Sequence, residues 1–436
     1  MHILFLTDNF PPEVNAPASR TFEHCRQWVR EGHQVTVITC APNFPKGQVF
    51  DGYRNRLWQT EEMEGIKVIR VWSYITANEG FLRRTLDYVS YMVSATLAAP
   101  FVRGVDVVVG TSPQFFTACA AWATAALKRK PFVFEVRDLW PESIRAVGAV
   151  GSEPILNALE KLELFLYGRA RAVVTVTHAF KRDIARRGID DAKISVITNG
   201  VDASQFSVRE KDPELTGTLN LEGKFVAGYV GTHGMAHGLS TLLDAAEALK
   251  AHPEGRDIHL LMLGDGAEKQ KLVADARARG LSNLTLLDTV PKDQVARYWS
   301  LLDTSIIHLR RTDLFKTVIP SKLFECMAMG LPILHGVEGE SAEIVEKNRI
   351  GLPFEPENSA ELVDKLLKLK QNRQMRNQLR ANCLDAAPLY DRTRLAREML
   401  ATLGQCVALS TKEAGENASV ERGRRAAELH EGRAHH

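Results

Sequence analysis

Short apolar runs separated by stretches of helical periodicity recur along this chain, stop, and then begin again. In the first half, residues 3–7 (ILFLT), Val35–Thr39, Val68–Val71, Asp106–Gly110, Phe132–Val136, Ala172–Val176 and Ser195–Ile197 read as strands. In the second half, Phe225–Val230, His259–Leu263, Leu284–Leu287, Thr304–Leu309 and Pro332–Leu334 do so. These runs lack the in–out alternation of a strand wetted on one face. They suit strands covered on both faces, as in a parallel sheet between helix layers. Stretches at about Ser19–Arg30, Phe116–Lys128 and Pro154–Gly168 supply helices for the first array. Those at about Leu239–Lys250, Ala267–Arg279, Gln294–Leu302, Ser321–Met329 and Ala360–Gln371 supply them for the second. With 436 residues the chain is too long for one ordinary core. The expectation is α/β: two doubly wound, Rossmann-like domains facing each other across a cleft, with ligand loops at the carboxyl ends of the strands.

The boundaries follow from composition. Residues 1–204 form the first domain. Residues 205–222, polar and with Pro213 and Gly217, read as a linker. Residues 223–387 form the second domain. Residues 388–410 are a C-terminal helix expected to pack back toward the first, and 411–436, with little to bury, a mobile tail. The segment Asp8–Ala18, with Pro11, Pro12 and Pro17, reads as a non-helical loop.

A net charge of +2 makes no case for nucleic acid. Six scattered cysteines without a CxxC pair look like reduced cytosolic thiols, not disulfides or zinc ligands. The N-terminal apolar run is too short for a secretory signal, and a cytoplasmic protein is expected. There is no G-x-G-x-x-G fingerprint, no P-loop and no G-x-S-x-G elbow. Neither a D-x-D pair nor a Cys/His cluster occurs, so no metal and no cofactor is expected.

The stretch Thr312–His335 reads as loop, helix, turn and strand. Pro320 and Ser321 suit a helix start, and Gly330 a helix end. Lys322 falls in the first turn, where the helix dipole disfavours a cation unless an anion is shared with the amides there. Glu325, three residues on, could accept hydrogen bonds from a ribose diol, or could simply pair with Lys322 on the surface. The stretch alone leaves both readings open.

Other loops follow strands. Gly231, Thr232, His233 and Gly234 open a glycine-rich turn that suits a diphosphate, and Gly264–Asp265–Gly266 is a second such turn. Phe134–Glu142 leaves its strand as a dense polar and aromatic loop, with Arg137, Asp138 and Glu142 at a costly position unless solvated or used. Residues 81–102 are apolar almost all round a helix, with Arg83 and Arg84 at its start. They read either as a buried helix or as an interfacial segment resting on lipid. Asp87 argues against a membrane-spanning helix.

Taken together, NFPPEVNAPASR (Asn9–Arg20), EGHQVTVIT (Glu31–Thr39), RDLWPES (Arg137–Ser143), TNGVD (Thr198–Asp202), LMLGDGAEKQKL (Leu261–Leu272) and PSKLFECMAMGLPI (Pro320–Ile333) resemble the family 4 glycosyltransferases of the GT-B fold. DLWPES is similar to a branch that builds O-antigen and colanic acid, some of whose members transfer N-acetyl-fucosamine. The resemblance implies metal-free, retaining transfer of a sugar, with an N-acetylated aminosugar as the expected one, from a UDP-sugar to a lipid-linked or saccharide acceptor, at the cytoplasmic face of the inner membrane. It implies nucleotide contacts from Val290 and Glu325, and with these the residues read above as candidates, Gly231, Thr232, His233, Gly234, Gly264, Ser321, Lys322 and Leu323, complete the expected nucleotide-sugar site. Asn15, Arg20, Arg137 and Glu142 would meet sugar or acceptor, with Asp138 and Lys322 as catalytic candidates. Glu325 matches the second glutamate of the family's E-x7-E pattern. Departures accompany these matches: Thr317 replaces the first glutamate, Thr232 and His237 stand where an arginine and a lysine are usual, and Ala16–Pro17 replaces a Gly–Gly loop. They leave open a UDP-sugar epimerase of the same fold, or a non-catalytic nucleotide-sugar-binding subunit.

Overall fold

The computed structural model describes residues 1–44, 46–76, 81–140 and 152–433. The chain divides into two compact units. The first comprises Met1–Val176, Phe180–Ile197 and Leu395–His436, the second Thr177–Ala179 and Thr198–Arg394.

The first unit is built on an eight-stranded sheet: β1 (His2–Leu6), β2 (Gln34–Cys40), β3 (Trp58–Met63), β4 (Ile66–Val71), β5 (Val107–Thr111), β6 (Phe132–Val136), β7 (Ala172–Thr175) and β8 (Ile194–Val196). Their spatial order is β3-β4-β2-β1-β5-β6-β7-β8. All pairs are parallel except β3 with β4, an antiparallel edge hairpin. Composition gives no hint of β3, because WQTEEM is charged and alternates intermediate and exposed positions. Its helices are α1 (Ala16–Arg30), α2 (Phe81–Ala98), α3 (Phe115–Lys128), α4 (Glu153–Arg169) and α5 (His178–Arg186).

The start of α1 corrects the expectation of a loop through Ala18. Asn15 Oδ1 accepts from the Ala18 amide at 2.9 Å, and Pro17 sits in the first turn. The amide that proline lacks is one the helix would leave unpaired there anyway, so Pro17 starts the helix instead of breaking it. Asn15, read as a sugar contact, is the cap, and its Nδ2 donates to Asn9 Oδ1. Arg20 points inward from α1. Its Nε donates to the buried Glu135 Oε1 at 2.9 Å and its Nη2 to the Ile197 carbonyl at 2.9 Å. Burial pushes the Glu135 carboxyl up, but Arg20, Arg137 and His24 outweigh it and hold the group at about 2.

Arg20→Met is therefore expected to cost about 3–5 kcal/mol, read as a lowered urea midpoint, because it strands a buried carboxylate. A substrate-contact role alone would leave stability within ~0.5 kcal/mol. The stabilisation from Glu135 is present above its ordinary value of 4.5 and lost as pH falls toward about 2.

The last helix, α6 (Arg392–Arg433), lays Leu395, Ala396, Met399, Leu403 and Cys406 into the cluster formed by Ile3, Phe5, Trp28 and Val37. Each large apolar side chain buried there contributes about 1.5–3 kcal/mol. Trp28 Nε1 donates to the Ala396 carbonyl at 2.8 Å and fixes the register. The helical backbone continues to Arg433 through residues for which composition predicts a tail. Ala, Glu and Arg, frequent in this stretch, have high intrinsic helix propensity.

The second unit holds an all-parallel six-stranded sheet: β9 (Phe225–Val230), β10 (Ile258–Leu263), β11 (Leu284–Leu287), β12 (Thr304–His308), β13 (Ile333–Gly336) and β14 (Gly351–Pro353). Their order is β11-β10-β9-β12-β13-β14. The strand order reverses between β9 and β12, and ligands of such sheets bind outside the carboxyl ends at that switch point. Residues 205–222 are not a free linker. Phe206 and Leu221 are buried in the core of this unit, and Pro213–Thr218 is a helix capped by Asp212. Their apolar residues are too few and too widely spaced to register as periodic in sequence.

Helix α2 is half-exposed, not buried. Tyr91, Ala95 and Ala98 face the sheet, while Leu86, Val93 and Leu97, with Phe101 beyond, form an outward apolar stripe beside the exposed Arg83 and Arg84. Among the described residues no helix is long and apolar enough to cross a membrane.

Candidate nucleotide site at the switch point of the second unit

Three loops meet at the carboxyl end of the second sheet. The first follows β9 and runs through Gly231–Gly238. The second follows β10 through Gly264–Gly266. The third leads into helix α7 (Lys322–Met329). The first two cross in close contact: Gly231 N donates to the Leu263 carbonyl and His233 N to the Asp265 carbonyl, at 2.9 and 2.8 Å. A Cβ on Gly264 would lie 1.8 Å from the Gly231 carbonyl oxygen, and its φ is +151°. The sequence reads these glycines as a cradle. The structure gives Gly264 a further reason, the approach of one backbone to another.

Lys322 points back under this crossing. Its Nζ lies 3.7 Å from the centroid of the Tyr229 ring and has no hydrogen-bond partner among the described residues. A Cβ on Gly231 would come within 2.8 Å of it. Burial pulls the ammonium down to about 7, against the smaller opposing charges of Cys326 and Glu325. Glu325 turns elsewhere and accepts from Trp299 Nε1 at 3.1 Å, and burial raises its carboxyl. The surface ion pair between Lys322 and Glu325, one of the two readings of the sequence, does not form.

His233 is fully buried, and neither of its ring nitrogens has a partner among the described residues; nor does Nδ1 of His237. Both rings pack on Tyr229, at centroid separations of 5.9 Å. Burial, with Lys322 and, for His233, Lys269 adding repulsion, lowers both imidazoles to about 4. His308, at the end of β12, is different. Its Nδ1–H donates to the His237 carbonyl at 2.7 Å and its Nε2 accepts from the Glu357 amide at 2.8 Å. Two fixed partners lock it in one neutral tautomer.

Other expected residues are placed as follows. The Thr232 carbonyl accepts from the Tyr229 hydroxyl at 2.8 Å. Ser321 precedes α7 without a side-chain cap, because its own backbone is already helical. The Leu323 amide is taken by the Pro320 carbonyl at 3.0 Å, which removes one of the amides expected to be free for an anion. Val290 packs on the core. Thr317 Oγ1 donates to the Leu314 carbonyl at 2.8 Å and closes a 3-10 turn.

The remaining residues lie in the first unit, after β6. The Arg137 and Asp138 amides both donate to Ser112 Oγ, at 2.7 and 3.2 Å. Burial raises the Asp138 carboxyl, with Arg137 opposing. Glu142 lies outside the described residues. Sequence reading missed Tyr229, Trp299 and His308. Each sits in or beside an apolar run where periodicity assigns it to the core, and nothing local marks its contact with a loop or helix dozens of residues away. Among the described residues no three His, Cys, Asp or Glu side chains gather as a metal site.

Residues 18–205 match the family described as Glycosyltransferase Family 4, and residues 212–384 match Glycosyl transferases group 1. WcaI of Escherichia coli (strain K12), named for glycosyl transfer in colanic acid biosynthesis, is 25% identical over 342 residues, covering 76% of this chain and 82% of its own. Sucrose-phosphate synthase from Thermosynechococcus elongatus superimposes with a TM-score of 0.73 at 15% identity, covering 94% of this chain and 99% of its own. HepE from Anabaena, solved with UDP, does so at 0.67 and 16%, covering 93% and 100%; it has also been solved with UDP-glucose. At these identities the two structural likenesses are likenesses of fold.

Proposed function

Because this chain is a glycosyltransferase of the GT-B fold, we propose that it moves a sugar from a UDP-sugar to a lipid-linked or saccharide acceptor in bacterial envelope or exopolysaccharide synthesis. The observation that carries the donor is the site at the β9/β12 switch point. There, among the described residues, an ammonium, both ring nitrogens of His233 and Nδ1 of His237 without hydrogen-bond partners surround one place with a glycine crossing, and the Glu325 carboxylate lies on the same helix as Lys322. Such a set suits a diphosphate next to a ribose. HepE, of the same fold, binds UDP and UDP-glucose, and WcaI supports the polysaccharide setting.

In this reading the bond from the anomeric carbon to the diphosphate oxygen breaks, and Lys322 stabilises the charge developing on the leaving UDP. Transfer is with retention, the sugar is an N-acetylated aminosugar, and no metal takes part. Asp138 and Arg137 serve the acceptor side. The outward stripe Leu86, Val93, Leu97 and Phe101, flanked by Arg83 and Arg84, would rest on an anionic cytoplasmic leaflet and bring the enzyme to a lipid-linked acceptor.

A binding panel of UDP, GDP and their sugars tests the donor; no binding by any of them defeats the proposal. Release of UDP only when a lipid-linked acceptor is added supports transfer, whereas an epimer formed from UDP-sugar alone points to the epimerase. Glu325→Ala is expected to weaken UDP about 10- to 100-fold, the value of a lost charged hydrogen bond, while barely touching the affinity for inorganic pyrophosphate.

A further inference from the structure

We infer that this site makes its positive charge on demand: His233, His237 and Lys322 take up protons as the diphosphate enters, so that nucleotide binding and protonation are one event. The inference rests on the donor reading above and adds the means by which this chain, lacking the usual fixed cations at Thr232 and His237, neutralises the ligand.

The geometry argues it first. Four buried nitrogens, Nζ of Lys322, Nδ1 and Nε2 of His233 and Nδ1 of His237, have no partner among the described residues. A buried polar atom without a partner is costly and rare, and several converging on one place need a common explanation. They gather around a single ring, Tyr229, below the Gly231 turn. The neighbouring His308 shows the contrast, since both of its nitrogens are used by the protein itself.

The charges facing the cluster do not neutralise it in advance. From the β10 loop and α8 (Lys269–Ala278) come Asp265 and Lys269, whose Nζ donates to the Gly264 and Leu287 carbonyls. Asp288, after β11, lies 3.4 Å from that same lysine. From α7 come Glu325, held by Trp299, and the thiol of Cys326, which burial pushes up to about 12. From the β12 and β13 side come His308, facing Glu357, and His335, whose Nε2 meets Ser341 Oγ at 2.9 Å. Without ligand, three basic groups so close to one another in a buried site repel, and burial holds Lys322 at about 7 and the two histidines at about 4. A diphosphate carrying two to three negative charges reverses both effects. Protons drawn from solvent then go to Nζ of Lys322 and to the vacant ring nitrogen of His237, with His233 as the third acceptor.

The test is calorimetric titration of UDP into the full-length protein at pH 8, in two buffers of different ionisation enthalpy. At this pH the terminal phosphate of UDP is already ionised, so uptake belongs to the protein. The expected result is about one to two protons taken up per UDP, with affinity falling about tenfold or more for each pH unit between 7.5 and 8.5. Uridine, lacking the diphosphate, is expected to bind without uptake. In His237→Gln the uptake falls, and the affinity deficit against wild type widens as pH drops from 8.5 to 6.5. A merely structural histidine would give the same deficit at every pH. Tight UDP binding with no net proton exchange and a flat pH profile overturns the inference and leaves the donor reading standing. Failure of every nucleoside diphosphate to bind at any pH overturns both.

Discussion

Lys322→Met is expected to weaken UDP binding and slow sugar transfer by about 100-fold or more, yet to give a protein that melts no earlier than wild type. The first effect follows from position. The ammonium is buried, stands 3.7 Å from the Tyr229 ring centroid and has no hydrogen-bond partner among the described residues, so its N–H donors are not used by the protein itself. Removing one preorganised donor from a developing oxyanion costs about 2.7–4 kcal/mol, or 10²–10³ in rate. The second effect has the opposite sign for the same reason. Burial holds Lys322 at about 7, below its ordinary 10.5, so between those values the unfolded chain binds one more proton than the folded one. The stability of ligand-free wild type therefore rises with pH across that window, and Lys322→Met lacks the rise. Methionine keeps the packing against Tyr229 without the desolvated charge. Calorimetric UDP titration and melting curves from pH 7 to 10 check the two parts separately. Unchanged UDP affinity would refute the ligand role of the residue.

Gly264→Ala is expected to destabilise the protein by about 3 kcal/mol or more and to abolish nucleotide binding with it. The added methyl would stand 1.8 Å from the Gly231 carbonyl oxygen, a backbone atom that cannot rotate away, at a φ of +151°. The loops after β9 and β10 must separate, and with them the Gly231 turn beneath which Lys322 lies. Gly168→Ala is the control. It sits in α4 with nothing within 4 Å, and is expected to be neutral or to stabilise by up to about 1 kcal/mol. Urea denaturation of the two variants side by side measures the difference. Equal midpoints would mean that the loop crossing is looser than its geometry.

The two βα arrays are legible in the chain because continuous apolar runs have few other uses than doubly covered parallel strands. Places where the reading failed share a cause. Pro17 looks like a helix breaker until Asn15 is seen to cap the turn that proline opens. Strand β3 is charged because it pairs at an edge, and no hydrophobic pattern records an edge. Residues 205–222 look like a linker because their two buried side chains, Phe206 and Leu221, are far apart in sequence and meet the core only once the second unit has formed. The helix at residues 81–102 reads as apolar all round, and only the sheet decides which of its faces is covered.

By itself the sequence determined the fold class, the position of Lys322 and Glu325 on the first turns of one helix, and the glycine turns that follow β9 and β10. These are local properties, set by spacing along the backbone. It did not determine whether Lys322 and Glu325 pair with each other. Tertiary structure decided that, turning Glu325 to Trp299 and Lys322 to Tyr229. It also decided that both ring nitrogens of His233 and Nδ1 of His237 stand without a partner among the described residues while His308 is locked by two. Burial and partnership belong to groups brought together from distant parts of the chain, and a residue's charge state depends on both.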